Sequence, residues 1–215
     1  EAVALKQACS ATAGATIYVS LEPCPHESAR GPACTDSLIA AKPARVVGAL
    51  TDPDPRTAGK GFDRLEAAGI MVERDAMTAE TRAGLAGFIS RIIKGRPHVT
   101  LKLATSLDGC IAMADGSSRW ITGDAARAHA HLERARCDTI LVGAGTVRAD
   151  EPKLDVRLPG LEDRSPRRIM LGSGNAPEGW EAIRTPQDIA KLDCNSLIVE
   201  GGAQTASAFL RTGLV

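Results

Sequence analysis

TIYVSLEPCPHESARGPAC, residues 16–34, holds the change of pattern on which the fold turns. Thr16, Ile17, Tyr18 and Val19 make a β-branched, alternating run, and the run closes in Pro23-Cys24. That order predicts a buried strand delivering Cys24 to the start of a turn or helix, a position that suits a metal ligand. Cys34 follows after nine intervening residues. Two such thiolates and a histidine from elsewhere make a zinc centre whose fourth position stays open to water, the catalytic arrangement. A bare Cys-x9-Cys reads as well as two buried cysteines. The flanks Leu21-Glu22-Pro23-Cys24 and Gly31-Pro32-Ala33-Cys34, together with Glu1, move the balance to metal.

Zinc deaminases pair H-x-E with P-C-x-x-C, the glutamate moving protons without binding metal. Glu1, followed by Ala2-Val3-Ala4-Leu5, matches that glutamate at the head of a helix, and the histidine is then expected two residues upstream. The bland reading of Glu1 is a solvated terminal charge.

Outward from this stretch, residues 2–9 favour a helix, Thr35–Ala41 a short one stopped by Pro43, and Arg45–Leu50 a buried strand. Prolines and glycines in TDPDPRTAGKG, residues 51–61, exclude regular structure. A helix over 62–68 and a strand at 70–72 follow. Leu85, Phe88, Ile89 and Ile92 recur at i, i+3, i+4 and i+7, predicting one amphipathic helix between Thr78 and Lys94. Gly95-Arg96-Pro97 ends it, and a fresh strand begins at His98. The boundaries expected are 1–77, a linker helix over 78–96, and 97–215.

In the second half, Ser106-Leu107-Asp108-Gly109 reads as a turn, residues 117–122 as a loop, and Asp124 as the cap of a helix running to Arg136. Strands are predicted at Thr139–Val142, Arg167–Leu171 and Leu197–Glu200, the last feeding a helix over 203–212. Gly143-Ala144-Gly145 and Gly201-Gly202 stand at strand-to-helix turns, where backbone N–H groups can approach a phosphate. Neither has the full G-x-G-x-x-G pattern, and glycine there also serves plain tight geometry. Strands alternating with helices at this spacing argue α/β architecture with largely parallel sheets.

Composition narrows the classes. With 26 basic and 26 acidic residues and 3% aromatics, neither a basic footprint nor a stacking platform for nucleic acid exists. No run of 18 apolar residues predicts a membrane span. Six cysteines in 215 residues fit reduced thiols in a cytoplasmic enzyme better than a disulfide scaffold.

Six ordered segments, LEPCPHESARGPACTDSLIAA, DPDPRTAGKG, LKLATSLDGCIA, SRWIT, VGAGTVRADEPKLDVR and VEGG, resemble the bifunctional deaminase/reductase family of riboflavin biosynthesis across both halves. The resemblance implies a cytidine-deaminase-like three-layer α/β/α domain followed by a dihydrofolate-reductase-like α/β domain, both expected to be cut short at the chain ends. It implies Zn2+ and NADPH as cofactors. The implied substrate is 2,5-diamino-6-ribosylamino-4(3H)-pyrimidinone 5′-phosphate, first deaminated and then reduced from ribosyl to ribityl. The partner expected is thus a small phosphorylated pyrimidine, with no nucleic acid and no membrane, and the assembly a homo-oligomer.

Residue by residue, the resemblance makes Glu1 the proton carrier, Cys24 and Cys34 the zinc ligands, and His26 a substrate contact, with a stand-in zinc ligand as its alternative. Arg30 and Lys60 are candidates to face the substrate phosphate or to be solvated charge. In the reductase half, substrate contacts map onto Ser118, Arg134, Leu154, Arg157 and Glu200, with Arg134 and Arg157 as phosphate clamps. NADPH contacts map onto Ala104, Trp120, Thr146, Asp150, Gly202, Ala203, Gln204, Thr205, Ala206, Ser207 and Ala208. Lys102, Ser106 and Asp108 are placed to orient the substrate. The chain departs from the family in a cysteine spacing longer by one, and in a short stretch between Arg168 and Leu197, which predicts an adenosine side that is reduced or handled by a partner subunit. Two rivals stay open: a reductase with an inactive deaminase scaffold, and a zinc-stabilised nucleotide-binding module without turnover.

Overall fold

The computed structural model describes residues 1–27, 31–118 and 120–215. They form two compact units, Glu1–Ile93 and Lys94–Val215.

The first unit runs α1 (Ala2–Ala8), β1 (Thr16–Val19), α2 (Cys34–Ala41), β2 (Arg45–Gly48), α3 (Lys60–Ala67), β3 (Met71–Glu73), α4 (Thr78–Gly84) and α5 (Ala86–Lys94). Its three strands are parallel in the order β1-β2-β3, with Ile17 beside Val46 and Val46 beside Val72. Alternation puts these residues on one face, where Leu5, Leu38, Ile39 and Leu65 from α1, α2 and α3 close a core over them. The other face keeps Tyr18 and Met71 at 75% and 65% exposure, so the third layer expected from the sequence does not cover them. The single helix expected over 78–94 is two. Gly84 closes α4, Leu85 leaves helical geometry at ψ 14°, and its carbonyl accepts from the Ile89 amide to start α5. A glycine just ahead of the apolar repeat weakens the helix where it breaks.

The second unit contains β4 (His98–Leu101), α6 (Asp124–Ala135), β5 (Thr139–Gly143), α7 (Ala144–Asp150), β6 (Arg167–Leu171), β7 (Glu181–Ile183), β8 (Ser196–Val199) and α8 (Ala203–Arg211). All five strands are parallel in the order β4-β8-β5-β6-β7. Leu141, Ile169 and Val199 enter one core with Phe209 and Ile189, while Ile140, Met170 and Ile198 enter another with Val147 and Leu154. A parallel strand covered on both faces needs apolar residues on both, which is why Ile140-Leu141-Val142 reads as an unbroken apolar run. The C-terminal ends of β4, β8, β5 and β6 lie side by side in that order, which concentrates the site at one edge of the sheet. Among the described residues no helix is long and apolar enough to cross a membrane.

Candidate active sites

In the first unit the structure brings Glu1, Cys24 and Cys34 together. Cys34 Sγ donates to Glu1 Oε2 at 3.2 Å and is hydrogen-bonded to Cys24. Burial, then Cys24 and Glu1, push the Cys34 thiol up to about 12. Cys24 Sγ lies 3.6 Å from the His26 carbonyl. The imidazole of His26 instead sits within electrostatic reach of Asp54, and its Nδ1 is buried with no partner among the described residues. His26 as a stand-in zinc ligand is therefore unsupported by position. No group of three metal-ligating side chains forms among the described residues. Two thiols beside a carboxylate fit the sulfur half of a zinc centre, and closing it takes one further donor. Arg30 lies outside the described residues.

Behind the thiols stands a group that sequence reasoning missed. Glu22, 3% exposed, accepts backbone N–H groups from Asp52 (3.1 Å) and Gly59 (2.8 Å) on Oε2 and from Gly61 (2.8 Å) and Phe62 (3.3 Å) on Oε1. Gly59, at the N-cap of α3, has no side chain to satisfy that first turn, so Glu22 caps the helix from 37 residues away. A Cβ on Gly61 would come 2.0 Å from the Pro23 carbonyl, so the 51–61 loop packs directly on the turn that carries Cys24. Within this loop Arg56 holds the Asp54 carboxyl down to about 2 through its side-chain and backbone hydrogen bonds. Lys60 Nζ donates to the Pro55 carbonyl at 2.7 Å, which turns it toward its own loop.

The second unit carries a cavity of about 650 Å³ lined by Lys102, Ser118, Trp120, His131, Arg134 and Arg157, among others. At its base Arg134 Nε and Nη2 grip the two oxygens of Glu200 at 2.7 and 2.9 Å, and Nη1 donates to the Asp155 carbonyl at 3.0 Å. Burial alone would lower the Arg134 pKa, but the hydrogen bonds and charge of Glu200 outweigh it and raise it. Lys102 Nζ stands 3.8 Å from Glu200 Oε2. Three of the five Arg134 N–H groups are committed inside the protein, two of them to Glu200, which is itself shut behind it, whereas among the described residues the Arg157 side chain is ion-paired only with Asp155, at 3.3 Å.

Leu154, expected as a substrate contact, has only its backbone left to meet a ligand. Its side chain is buried with Val147 and Met170, and its backbone is left-handed at φ 54°. That twist turns the Asp155 carbonyl toward both Arg134 and His131 Nδ1 (3.1 Å). Burial, then the charges of Arg134 and Arg157, lower the His131 pKa below its usual 6.5. Arg127, His131 and Arg134 fall at i, i+4 and i+7 on α6, a basic stripe that the sequence displays and that sequence reasoning passed over. Arg127 lies 4.5 Å under the Trp120 ring and donates to the Thr122 carbonyl at 2.6 Å, holding the indole, 72% exposed, at the cavity wall. Ser106, Asp108 and Cys110 bond among themselves, as the plain turn reading has it.

Beside this cavity a groove runs over the ends of β8, β5 and β6, lined by Gly145, Thr146, Asp150, Gly172, Gly202 and Gln204, with Ala203 and Thr205. The expected cofactor contacts therefore divide. Ala104 and Trp120 line the cavity, whereas Thr146, Asp150 and Gly202 to Thr205 line the groove. Ala206 is buried in the core, and Ser207 and Ala208 stand outside the groove lining, because successive residues of α8 turn away by about 100° each. The glycines divide too. A Cβ on Gly143 or Gly201 would lie 2.4 or 2.5 Å from Thr205, so these two are set by packing, while Gly145 and Gly202 face open space.

Residues 97–181 match the RibD C-terminal domain. The riboflavin biosynthesis protein RibD of Mycobacterium tuberculosis is 40% identical over 231 residues, covering all of this chain and 68% of its own length. That of Escherichia coli is 38% identical, with 72% of its length covered. This chain belongs to the RibD family. Acinetobacter baumannii RibD superposes on 99% of this chain at a TM-score of 0.87 and 34% identity, covering 69% of that structure. A Thermotoga maritima structure, described as a diaminohydroxyphosphoribosylaminopyrimidine deaminase/5-amino-6-(5-phosphoribosylamino)uracil reductase, superposes on 98% at 0.85 and 32% identity, covering 68% of that structure. The RibD-like architecture thus extends over both units and is not confined to the matched reductase segment.

Proposed function

We propose that the second unit reduces 5-amino-6-(5-phosphoribosylamino)uracil with NADPH, and that the first prepares this substrate by zinc-dependent deamination. One observation carries the reading: the cavity built on Lys102 and the Arg134–Glu200 pair adjoins the glycine-lined groove, and β8 ends between them, with Glu200 on one side and Gly202 on the other. A phosphorylated sugar in the cavity and a dinucleotide in the groove then converge at one strand end. The ring-opened ribosylamine is an imine. Its C1 accepts hydride from the nicotinamide and its nitrogen takes a proton, so positioning does most of the work. Arg157 faces the phosphate, while Glu200, held by Arg134, fixes Lys102 beside the sugar.

In the first unit, Cys24 and Cys34 would hold the metal with one further donor, and Glu1 would carry the proton between water, ring nitrogen and leaving ammonia. Zinc, when bound, supplies hydroxide at neutral pH. The fold of this unit is read as a cytidine-deaminase type on the same family ground.

Loss of dihydronicotinamide absorbance on adding 5-amino-6-(5-phosphoribosylamino)uracil tests the reductase, and ammonia release from the diaminopyrimidinone nucleotide tests the deaminase. NADPH oxidation without ammonia would favour a reductase carrying an inactive scaffold; neither activity would leave a binding module.

A further inference from the structure

We propose that Arg148 selects a dinucleotide carrying a phosphate on its adenosine ribose, at the end of the groove remote from hydride transfer. This rests on the reductase reading above and specifies its cofactor. Strand order sets the direction of the bound molecule. The substrate cavity lies at the ends of β4 and β8, the open glycines Gly202 and Gly145 follow β8 and β5, and Gly172-Ser173 follows β6. The ends of β8 and β6 are two strand spacings apart, about 10 Å. A dinucleotide whose nicotinamide reaches the cavity therefore passes its diphosphate over the glycines and places its adenosine at β6.

Arg148, on the last turn of α7, and Ser173, after β6, both line the groove, and α7 packs on β5 and β6. Arg148 is the only cation, and Asp150 the only acid, among the described residues lining the groove. The Arg148 side chain is exposed, and its guanidinium forms no ion pair or hydrogen bond among the described residues. Most other arginines near either site are committed, as Arg56 is to Asp54 and Arg134 to Glu200. Arg184 donates Nη1 to the Gly172 carbonyl at 3.4 Å, bringing a second guanidinium to the same rim. Gly172 takes φ 132°, and a Cβ there would sit 3.1 Å from Ala144 Cβ, so the strand end bends close against α7 and keeps Ser173 in the groove. An uncommitted guanidinium in a groove that also holds a hydroxyl suits a phosphate dianion, which takes paired charged donors, and offers little to an unmodified ribose hydroxyl. In other doubly wound folds an arginine at the adenosine ribose accommodates this phosphate.

Fluorescence titration of the chain with NADPH and NADH tests the assignment, with 2′,5′-ADP and 5′-ADP as competitors lacking the nicotinamide. The chain should bind NADPH and 2′,5′-ADP about tenfold or more tightly than their unphosphorylated counterparts. Arg148→Ala should remove most of that ratio by weakening the phosphorylated ligands alone, Arg148→Lys should keep part of it, and Arg184→Ala should reduce it less. An unchanged ratio in Arg148→Ala, with NADPH still bound, would overturn the selector and leave the reductase reading standing. Failure of the unaltered chain to bind either dinucleotide would remove that reading, and the selector with it.

Discussion

Glu22 reaches four amides between Asp52 and Phe62, and no other side chain among the described residues has so many backbone donors on it. Glu22→Gln keeps the volume but turns an amide NH2 toward backbone donors, so the first unit should lose about 2 to 3 kcal/mol. Hydrogen exchange should quicken at the Gly59, Gly61 and Phe62 amides; unchanged protection there would contradict the cap. Arg134 and Glu200 form the corresponding pair in the second unit. Arg134→Ala leaves the buried Glu200 carboxylate with only the Lys102 ammonium at 3.8 Å and should cost about 3 kcal/mol in denaturant unfolding, while Arg134→Lys should recover little, because an ammonium cannot grip both oxygens. His131 adds a pH dependence. Its pKa is depressed in the folded chain, so its contribution to stability is complete above the usual value of 6.5 and is lost as pH falls through the lower folded value. His131→Gln should flatten that acid-side loss in thermal melts taken at falling pH, and an unaltered slope would show that other groups set it.

Among elements, those whose patterns are local were legible before the structure. β5 showed as an apolar run because both its faces are covered, and the i, i+3, i+4, i+7 spacing from Leu85 marked helix there, though not its division into α4 and α5. β7 was not legible: Glu181-Ala182-Ile183 is three residues with one buried side chain, and its register on β6 is set by the sheet already formed. The break falls at Leu85, the first residue of the apolar repeat, so no interruption of the spacing marks it. The grouping of Glu1, Cys24 and Cys34 was legible because their neighbours in sequence carry a motif. The Glu22 cap and the Arg134–Glu200 pair were not, since their partners lie tens of residues away and only folding joins them. The strand-to-helix turns after β5 and β8 give a direct test of packing. Gly143→Ala places a methyl against Thr205 and should destabilise the second unit, by about 1 to 3 kcal/mol, and Thr205→Ala should restore most of that loss in the double variant; simple additivity would mean the two do not meet.

For the whole molecule, the described chain holds two compact units, each with its own parallel sheet and core. Cys24→Ala should therefore abolish ammonia release while leaving NADPH binding within about twofold, since the two sites share no side chain. Loss of both together would argue that the units do not work independently. The central claim is that hydride passes from a nicotinamide lying over the groove to the sugar in the Lys102 cavity. Mass spectrometry of the product made with NADPH deuterated at both C4 positions tests it most directly. One deuterium should appear on C1 of the ribityl chain; a ribityl product without deuterium, or deuterium placed on the pyrimidine ring, would contradict it.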